Sequence, residues 1–334
     1  MFRPEGVYVA MLTPFDEDGS IHEGELRRIV DFQINGGVHG LFPISSVGEF
    51  IHMSREEKFR MMEIVIDQNN GRVKITPGVG TSNPAESIIL AQKAKDLGCD
   101  GVVVAPPYFY PLSQENIEQY FETIAAAVNI PNILYNIPLF TQPLSYDVVK
   151  RLSRHKNIVG MKDSSGSMVD FMHFMDKIKI AGEDIHILTG REETLFPCLM
   201  VGGKGCMTAT SGILPEIMVD IYDAWKKGAY DEARQLQTSI LLILRTMFAL
   251  PFPLGFKLAM EMRGFSMGPP KQPLSDAERF KFRNQTFSFF LKFFKKFRKQ
   301  NTIGGKGMTT AVQTGFDAKL IDFKSFFGQK FTLN

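Results

Sequence analysis

The sequence predicts an α/β chain built as an eight-stranded parallel β/α barrel with a helical appendage after it. Three observations predict it. Eight short apolar segments rich in Val and Ile recur within the first 211 of 334 residues. Each ends in small or polar residues, at steps of 20 to 34 residues, which is the length of one strand plus one helix. Segments with helical periodicity lie between them, and strands alternating with helices imply a parallel sheet.

The strand candidates are VYVAMLT, GLFPISS, VKITPGVG, GVVVAPP, NILYN, IVGMK, IHILTG and GCMTATS, with ends near Thr13, Ser45, Val79, Pro106, Tyr135, Lys162, Gly190 and Thr210. ELRRIVDFQINGG, PAESIILAQKAKDLG and NIEQYFETIAAAV read as intervening helices, and Ser54, Asn83 and Ser113 stand where helix caps belong. Eight units with right-handed crossovers suit closure into a barrel over residues 1–213. An open, doubly wound sheet is the alternative, but GVGTSN lacks the last glycine of the GxGxxG dinucleotide fingerprint. Residues 214–299 read as further helices packed on the barrel, broken by PFPLG and GPPKQP. Within them FSFFLKFFKKFRK, residues 287–299, interleaves Phe with Lys and Arg, the pattern of an interfacial amphipathic helix or of a terminal helix packing on a neighbour. Residues 300–334 have no clear periodicity and form an extension without an assigned role.

Composition narrows the function classes. Hydrophobic residues at 44% and charged residues at 22% describe a folded, water-soluble chain. Nine of the 38 Lys and Arg lie in residues 284–334 against two of the 36 acidic residues, so a mildly acidic body carries a basic end. That distribution gives no electrostatic reason to expect nucleic acid. The N-terminal residues lack a secretory leader pattern and no run of eighteen apolar residues occurs, so the cytoplasm is the expected compartment and no membrane partner is expected. Cys99, Cys198 and Cys206 form no CxxC pair, and they are expected to be reduced and buried. Histidines 22, 39, 52, 155, 173 and 186 show no pair at metal-ligand spacing, and neither metal nor cofactor is expected.

In a barrel, residues at the C-terminal ends of strands share one mouth, where chemistry is found. The candidates there are Thr13, Ser45 to Glu49, Tyr108, Tyr135, Lys162, Gly190 to Glu193, and Thr208 to Ser211. Lys162 ends the apolar run IVGM, which places an amine inside the barrel. A desolvated amine is the form that attacks a ketone to give an imine. A structural lysine paired with Asp163 or Glu49 is the alternative. Tyr135 ends its own strand, as a proton relay or as a buried tyrosine bonded to a carbonyl. Ser45-Ser46-Val47-Gly48 offers hydroxyls and successive backbone N–H groups able to hold a carboxylate.

With these residues in place, the chain resembles the N-acetylneuraminate lyase and dihydrodipicolinate synthase superfamily from residue 5 to about 283. The resemblance runs through TPF at 13–15, SSVGEF at 45–50, PPYFYP at 106–111, YNIP at 135–138, VGMKDSSG at 159–166, and LTGREE followed by GGKG. It implies that Lys162 forms a Schiff base with pyruvate, that Tyr135 shuttles protons, and that Ser46 with Val47 binds the pyruvate carboxylate. It also implies a homo-oligomer, tetramer or dimer, acting on pyruvate and an aldehyde.

Departures from the superfamily pattern refine this. Val47 stands in place of a threonine, leaving Ser46 and Ser45 to supply hydroxyls. Phe109 replaces a relay tyrosine contributed across a subunit interface, for which Tyr108 or Tyr110 are substitutes. Dihydrodipicolinate synthases carry YN-x-P-x-R-T with an arginine anchoring the aldehyde's carboxylate. Here Phe140 stands in that place, and Arg191 is the candidate to restore the anchor. Gly190, Arg191, Glu192, Glu193 and Met207, after strands seven and eight, are expected beside the substrate. The pattern is closest to the 2-keto-3-deoxy sugar acid aldolases, so the expected activity is reversible cleavage of such a sugar acid to pyruvate and an aldehyde, within carbohydrate metabolism. The alternatives are dihydrodipicolinate synthase, a dehydratase using the same imine, and a non-catalytic keto-acid binding protein.

Overall fold

Strands and helices alternate as the apolar segments predict. The computed structural model describes residues 2–275 with Ala277 and Glu278. The elements are β1 (Gly6–Ala10), α1 (Glu23–Asn35), β2 (Gly40–Phe42), α2 (Arg55–Asn69), β3 (Lys74–Ile75), α3 (Pro84–Asp96), β4 (Val102–Val104), α4 (Gln114–Ala127), β5 (Asn132–Asn136) and α5 (Tyr146–Leu152). They continue with β6 (Ile158–Asp163), α6 (Met168–Ala181), β7 (His186–Thr189), α7 (Leu195–Met200), β8 (Gly205–Thr208), α8 (Thr210–Ile213), α9 (Pro215–Lys226), α10 (Tyr230–Ser239), α11 (Leu241–Phe248) and α12 (Leu254–Met262). Side chains close the helix starts where capping residues stand. Ser54 and Glu57 form a reciprocal capping box at α2, Asn83 accepts from the Ala85 amide and Ser113 from the Asn116 amide.

All strand pairs are parallel, in the order β3-β2-β1-β8-β7-β6-β5-β4. The expected fully closed barrel needs correction at one seam. The ladders form an open, curled sheet, because β3 and β4 share only an isolated parallel bridge between Gly78 and Val103. Three backbone bonds cross the seam: Asp100 N–H to Ile75 O at 3.0 Å, and Val79 N–H to Val103 O and Val103 N–H to Pro77 O, each 2.9 Å. The reason lies in TPGVG: Pro77 has no N–H to give to a ladder, and β3 stops after two residues.

The strands are buried along nearly their whole length, which is why they read as continuous apolar runs. Tight spacing shows at Gly40, where a Cβ would strike the Tyr8 ring of the neighbouring strand. After β8, α9 packs on β1 and α7, and α11 packs on α12. Residues 1–273 make one compact unit, and of the second unit, 274–334, four residues are described. There Ser275 Oγ accepts from the Glu278 amide at 3.2 Å. The basic segment 287–299 and the extension 300–334 lie outside the described residues. No helix among the described residues is long and apolar enough to cross a membrane.

Candidate active site

The register of β5 against β6 sets Tyr135 directly beside Lys162. Lys162 is 3% exposed. Its Nζ lies 4.2 Å from the centre of the Tyr135 ring and 4.9 Å from that of Phe42. Both carboxylates that would make it a structural lysine are engaged elsewhere. Asp163 accepts from Asn136 Nδ2 at 2.7 Å and from Ser165 Oγ at 2.8 Å, while Glu49 pairs with Lys257 at 2.9 Å. Burial raises the Asp163 carboxyl above its ordinary range, and its Ser165 and Asn136 bonds oppose the rise. Gly190 makes room for the lysine, since a Cβ there would stand 2.6 Å from Lys162 Cε.

Ser46 Oγ and the Tyr135 hydroxyl are 3.2 Å apart. The other residues of the serine turn face differently. Ser45 Oγ donates to Met11 O at 2.8 Å and accepts from the Gly48 amide at 3.2 Å, so it holds the turn together. Val47 is buried. Ser46, Tyr135 and Phe42 line a cavity of about 370 Å³, and Lys162 lies against the last two. That is room for a small metabolite with two or three polar anchors.

Much of the cavity wall is aromatic. Tyr108 and Phe109 both line it, whereas Tyr110 is 73% exposed and stacks edge-on against Phe109. Of the two substitute tyrosines, Tyr108 therefore reaches the cavity. Its phenol is pushed up by burial. Phe140 lines the cavity with Phe252, their ring centres 5.7 Å apart.

Other predicted residues lie outside this lining. Arg191 lays its guanidinium over the Phe248 ring at 5.1 Å and approaches Glu193 at 4.0 Å. Glu192 is buried, and its Oε1 accepts from the amides of Ala209 and Thr210 at 3.1 and 3.2 Å. Burial pushes this carboxyl up, against the pull of the amides. Met207 is fully buried in β8. Cys198 and Cys206 are buried and Cys99 is half-buried, all three as free thiols, with burial pushing Cys206 up to about 12.

Residues that sequence reasoning did not reach come from the C-terminal helices and the segment after them. Phe252, Pro253 and Gln272 line the cavity, and Lys257 neutralises Glu49, which also lines it. One signal was present: a lone lysine inside the apolar run PLGFKLAM must be buried, and a buried ammonium needs a carboxylate.

Comparison with known proteins decides the family. The sequence model of the Dihydrodipicolinate synthetase family matches residues 3–286. The chain belongs to this dihydrodipicolinate synthetase family. It is 38% identical over 283 residues to the 4-hydroxy-tetrahydrodipicolinate synthase of Pelobacter propionicus, covering 84% of this chain and 96% of that protein. It is 36% identical over 279 residues to the enzyme of that name from Methanopyrus kandleri, covering 83% and 92%. Among solved structures it resembles YagE, a prophage protein of the family from E. coli crystallised with pyruvate, with 30% identity, a TM-score of 0.78, and coverage of 86% and 99%.

This membership corrects the sequence reading, which set the chain closest to the 2-keto-3-deoxy sugar acid aldolases. The expectation of carbohydrate metabolism has no support among the matched synthases. GEF after the serine turn and YN-x-P without its arginine, the two features behind the sugar-acid reading, are thus compatible with membership of this family. As a member of the dihydrodipicolinate synthetase family, the chain is a metal-independent class I lyase or aldolase acting on a pyruvate-related substrate through a Schiff base.

Proposed function

We propose that this chain condenses pyruvate with aspartate semialdehyde, the reaction of a 4-hydroxy-tetrahydrodipicolinate synthase, with Lys162 as nucleophile. The observation that carries the chemistry is the cluster of Lys162, Tyr135 and Ser46 against one cavity. The relatives' shared name supports the choice of aldehyde. Ser46 Oγ and the turn's backbone N–H groups hold the keto acid's carboxylate. Lys162 Nζ adds to the keto carbon, and loss of water leaves an iminium ion. Transfer of a methyl proton to that water, relayed by the Tyr135 hydroxyl, gives an enamine, whose carbon attacks the aldehyde carbonyl. Tyr135, with Ser46 at its hydroxyl, delivers the proton that the new alkoxide takes up. The amine of the bound semialdehyde then attacks the iminium carbon, closing the ring and releasing Lys162 as a free amine. The protonated imine is the electron sink throughout.

Borohydride reduction with pyruvate, followed by mass mapping, tests the nucleophile. A reduced adduct on Lys162 is expected, and its absence rejects the scheme. Initial rates with aspartate semialdehyde, glyceraldehyde, erythrose and N-acetylmannosamine test the partner.

A second reading has its own observation. Among the described residues lining the cavity none is Arg or Lys, and Phe140 and Phe252 form an apolar wall. A bond from a cation to a carboxylate contributes roughly 1.5–3 kcal/mol, and this wall offers none. That favours an aldehyde without a carboxylate, on the same Lys162 imine. Faster turnover of an uncharged aldehyde in the panel selects this reading.

A further inference from the structure

We propose that Glu49 and Lys257 are a positioning pair for imine formation, holding the serine turn in register through a buried charge contact with α12. The inference rests on the Lys162 imine proposed above. Glu49 directly follows the turn and adopts φ of 62°, in the left-handed region that residues other than glycine seldom occupy. That conformation sends its backbone and side chain in two useful directions. Its N–H donates to Ser46 O at 3.3 Å. Its carboxylate is 2% exposed and fully engaged: Oε1 accepts from Lys257 Nζ at 2.9 Å, and Oε2 accepts from the amides of Lys271 and Gln272 at 2.7 and 3.1 Å. Lys257, equally buried, also donates to Pro269 O at 3.3 Å and lies 4.7 Å from the Phe15 ring centre.

The chain of contacts thus runs from α12 through Lys257 and Glu49 to Ser46, and from Ser46 to Tyr135 beside Lys162. Glu49 and Gln272 both line the cavity, so the same carboxylate ties its serine side to its C-terminal side. Two buried charges are a poor way to gain stability alone, because desolvation opposes their attraction and apolar side chains of similar size often fit as well. A role in geometry accounts for their presence. With both carboxylate oxygens of Glu49 hydrogen-bonded within the protein, the pair acts through Ser46 and not on the reacting atoms.

The test begins with the wild-type protein, pyruvate and borohydride; no adduct on Lys162 defeats the imine reading and overturns the pair's role in imine formation with it. With the adduct present, Glu49→Gln and Lys257→Met are compared for pyruvate KM and kcat at saturating acceptor. A contact that holds the carboxylate turn equally in ground and transition states is read in KM. The expected result is a pyruvate KM raised by about tenfold or more in both variants, with kcat changed less than the KM. A folded variant with an unchanged KM, or a fall in kcat alone, overturns the proposal. If neither variant folds, amide exchange on the wild type decides: trapping pyruvate is expected to slow exchange at Lys271 and Gln272 together with the serine turn. Slowing confined to the turn overturns it.

Discussion

Gly190 and Phe140 are the two residues whose replacement separates the nucleophile from the acceptor. A Cβ at 190 would strike Ser164 Oγ and stand 2.6 Å from Lys162 Cε, so both side chains must shift and the lysine moves relative to Tyr135 and Phe42. Displacing a reacting group by about 1 Å lowers rates by roughly 10²-fold, and Gly190→Ala is expected to slow borohydride-trapped adduct formation to that extent. Thermal unfolding should barely move, and an adduct rate equal to wild type contradicts the placement. Phe140→Arg asks the opposite question. It puts a bidentate donor on the apolar wall, worth roughly 1.5–3 kcal/mol to a carboxylate, or about 10- to 10²-fold in kcat/KM. If aspartate semialdehyde is the natural acceptor through some other anchor, the gain will be small. If the wall selects against carboxylates, kcat/KM for the semialdehyde should rise while that for glyceraldehyde falls. Lys162 and Tyr135 were legible in the sequence because each closes an apolar run, and parallel register then sets them side by side. Residue chemistry alone does not separate Ser45 from Ser46; only the motif resemblance singles out Ser46 with Val47. Which hydroxyl faces Tyr135 depends on the left-handed backbone at Ile44 and Glu49, which tertiary contacts impose.

At the scale of elements, Glu192 shows how a turn carboxylate becomes part of the wall. Two adjacent acids after β7 read as substrate ligands or exposed loop residues, yet Glu192 joins the turn after β7 to the start of α8 through the amides of Ala209 and Thr210. Burial raises its folded pKa, so its contribution to stability is present below its unfolded pKa, about 4.3, and is lost as pH rises through the folded value. Glu192→Gln keeps an acceptor oxygen for both amides and cannot ionise. The expected outcome is an unfolding temperature above wild type at pH 8, with the gap closing as pH falls towards 4. An equal gap at both ends would show that the carboxylate stays uncharged or well solvated. The same logic of local chemistry explains which elements were legible. Helix starts at Ser54, Asn83 and Ser113 follow from capping side chains alone. The seam between β3 and β4 does not, because Pro77 marks a break only once a closed ladder has been assumed.

The molecule as a whole completes its site late in the chain. Lys162, Tyr135 and Ser46 come from three different strand ends, while Phe252, Lys257 and Gln272 arrive more than 80 residues after the lysine. No periodicity in one segment foretells such meetings, which is why the C-terminal residues read only as an appendage. The last of the described residues to line the cavity is Gln272, and the family match ends at 286. The Pelobacter propionicus relative aligns over 96% of its own length with 84% of this chain. A chain ending at Thr286 therefore holds every residue of the described site and the full family segment. It is expected to form the Lys162 adduct at the wild-type rate and to unfold within about 2 °C of the full chain, less than about 1 kcal/mol at this size. Adduct kinetics and calorimetry on both forms check this. A lower adduct rate at unchanged unfolding temperature would assign residues 287–334 a part in the site, and their basic charge would then be the first property to examine by varying salt.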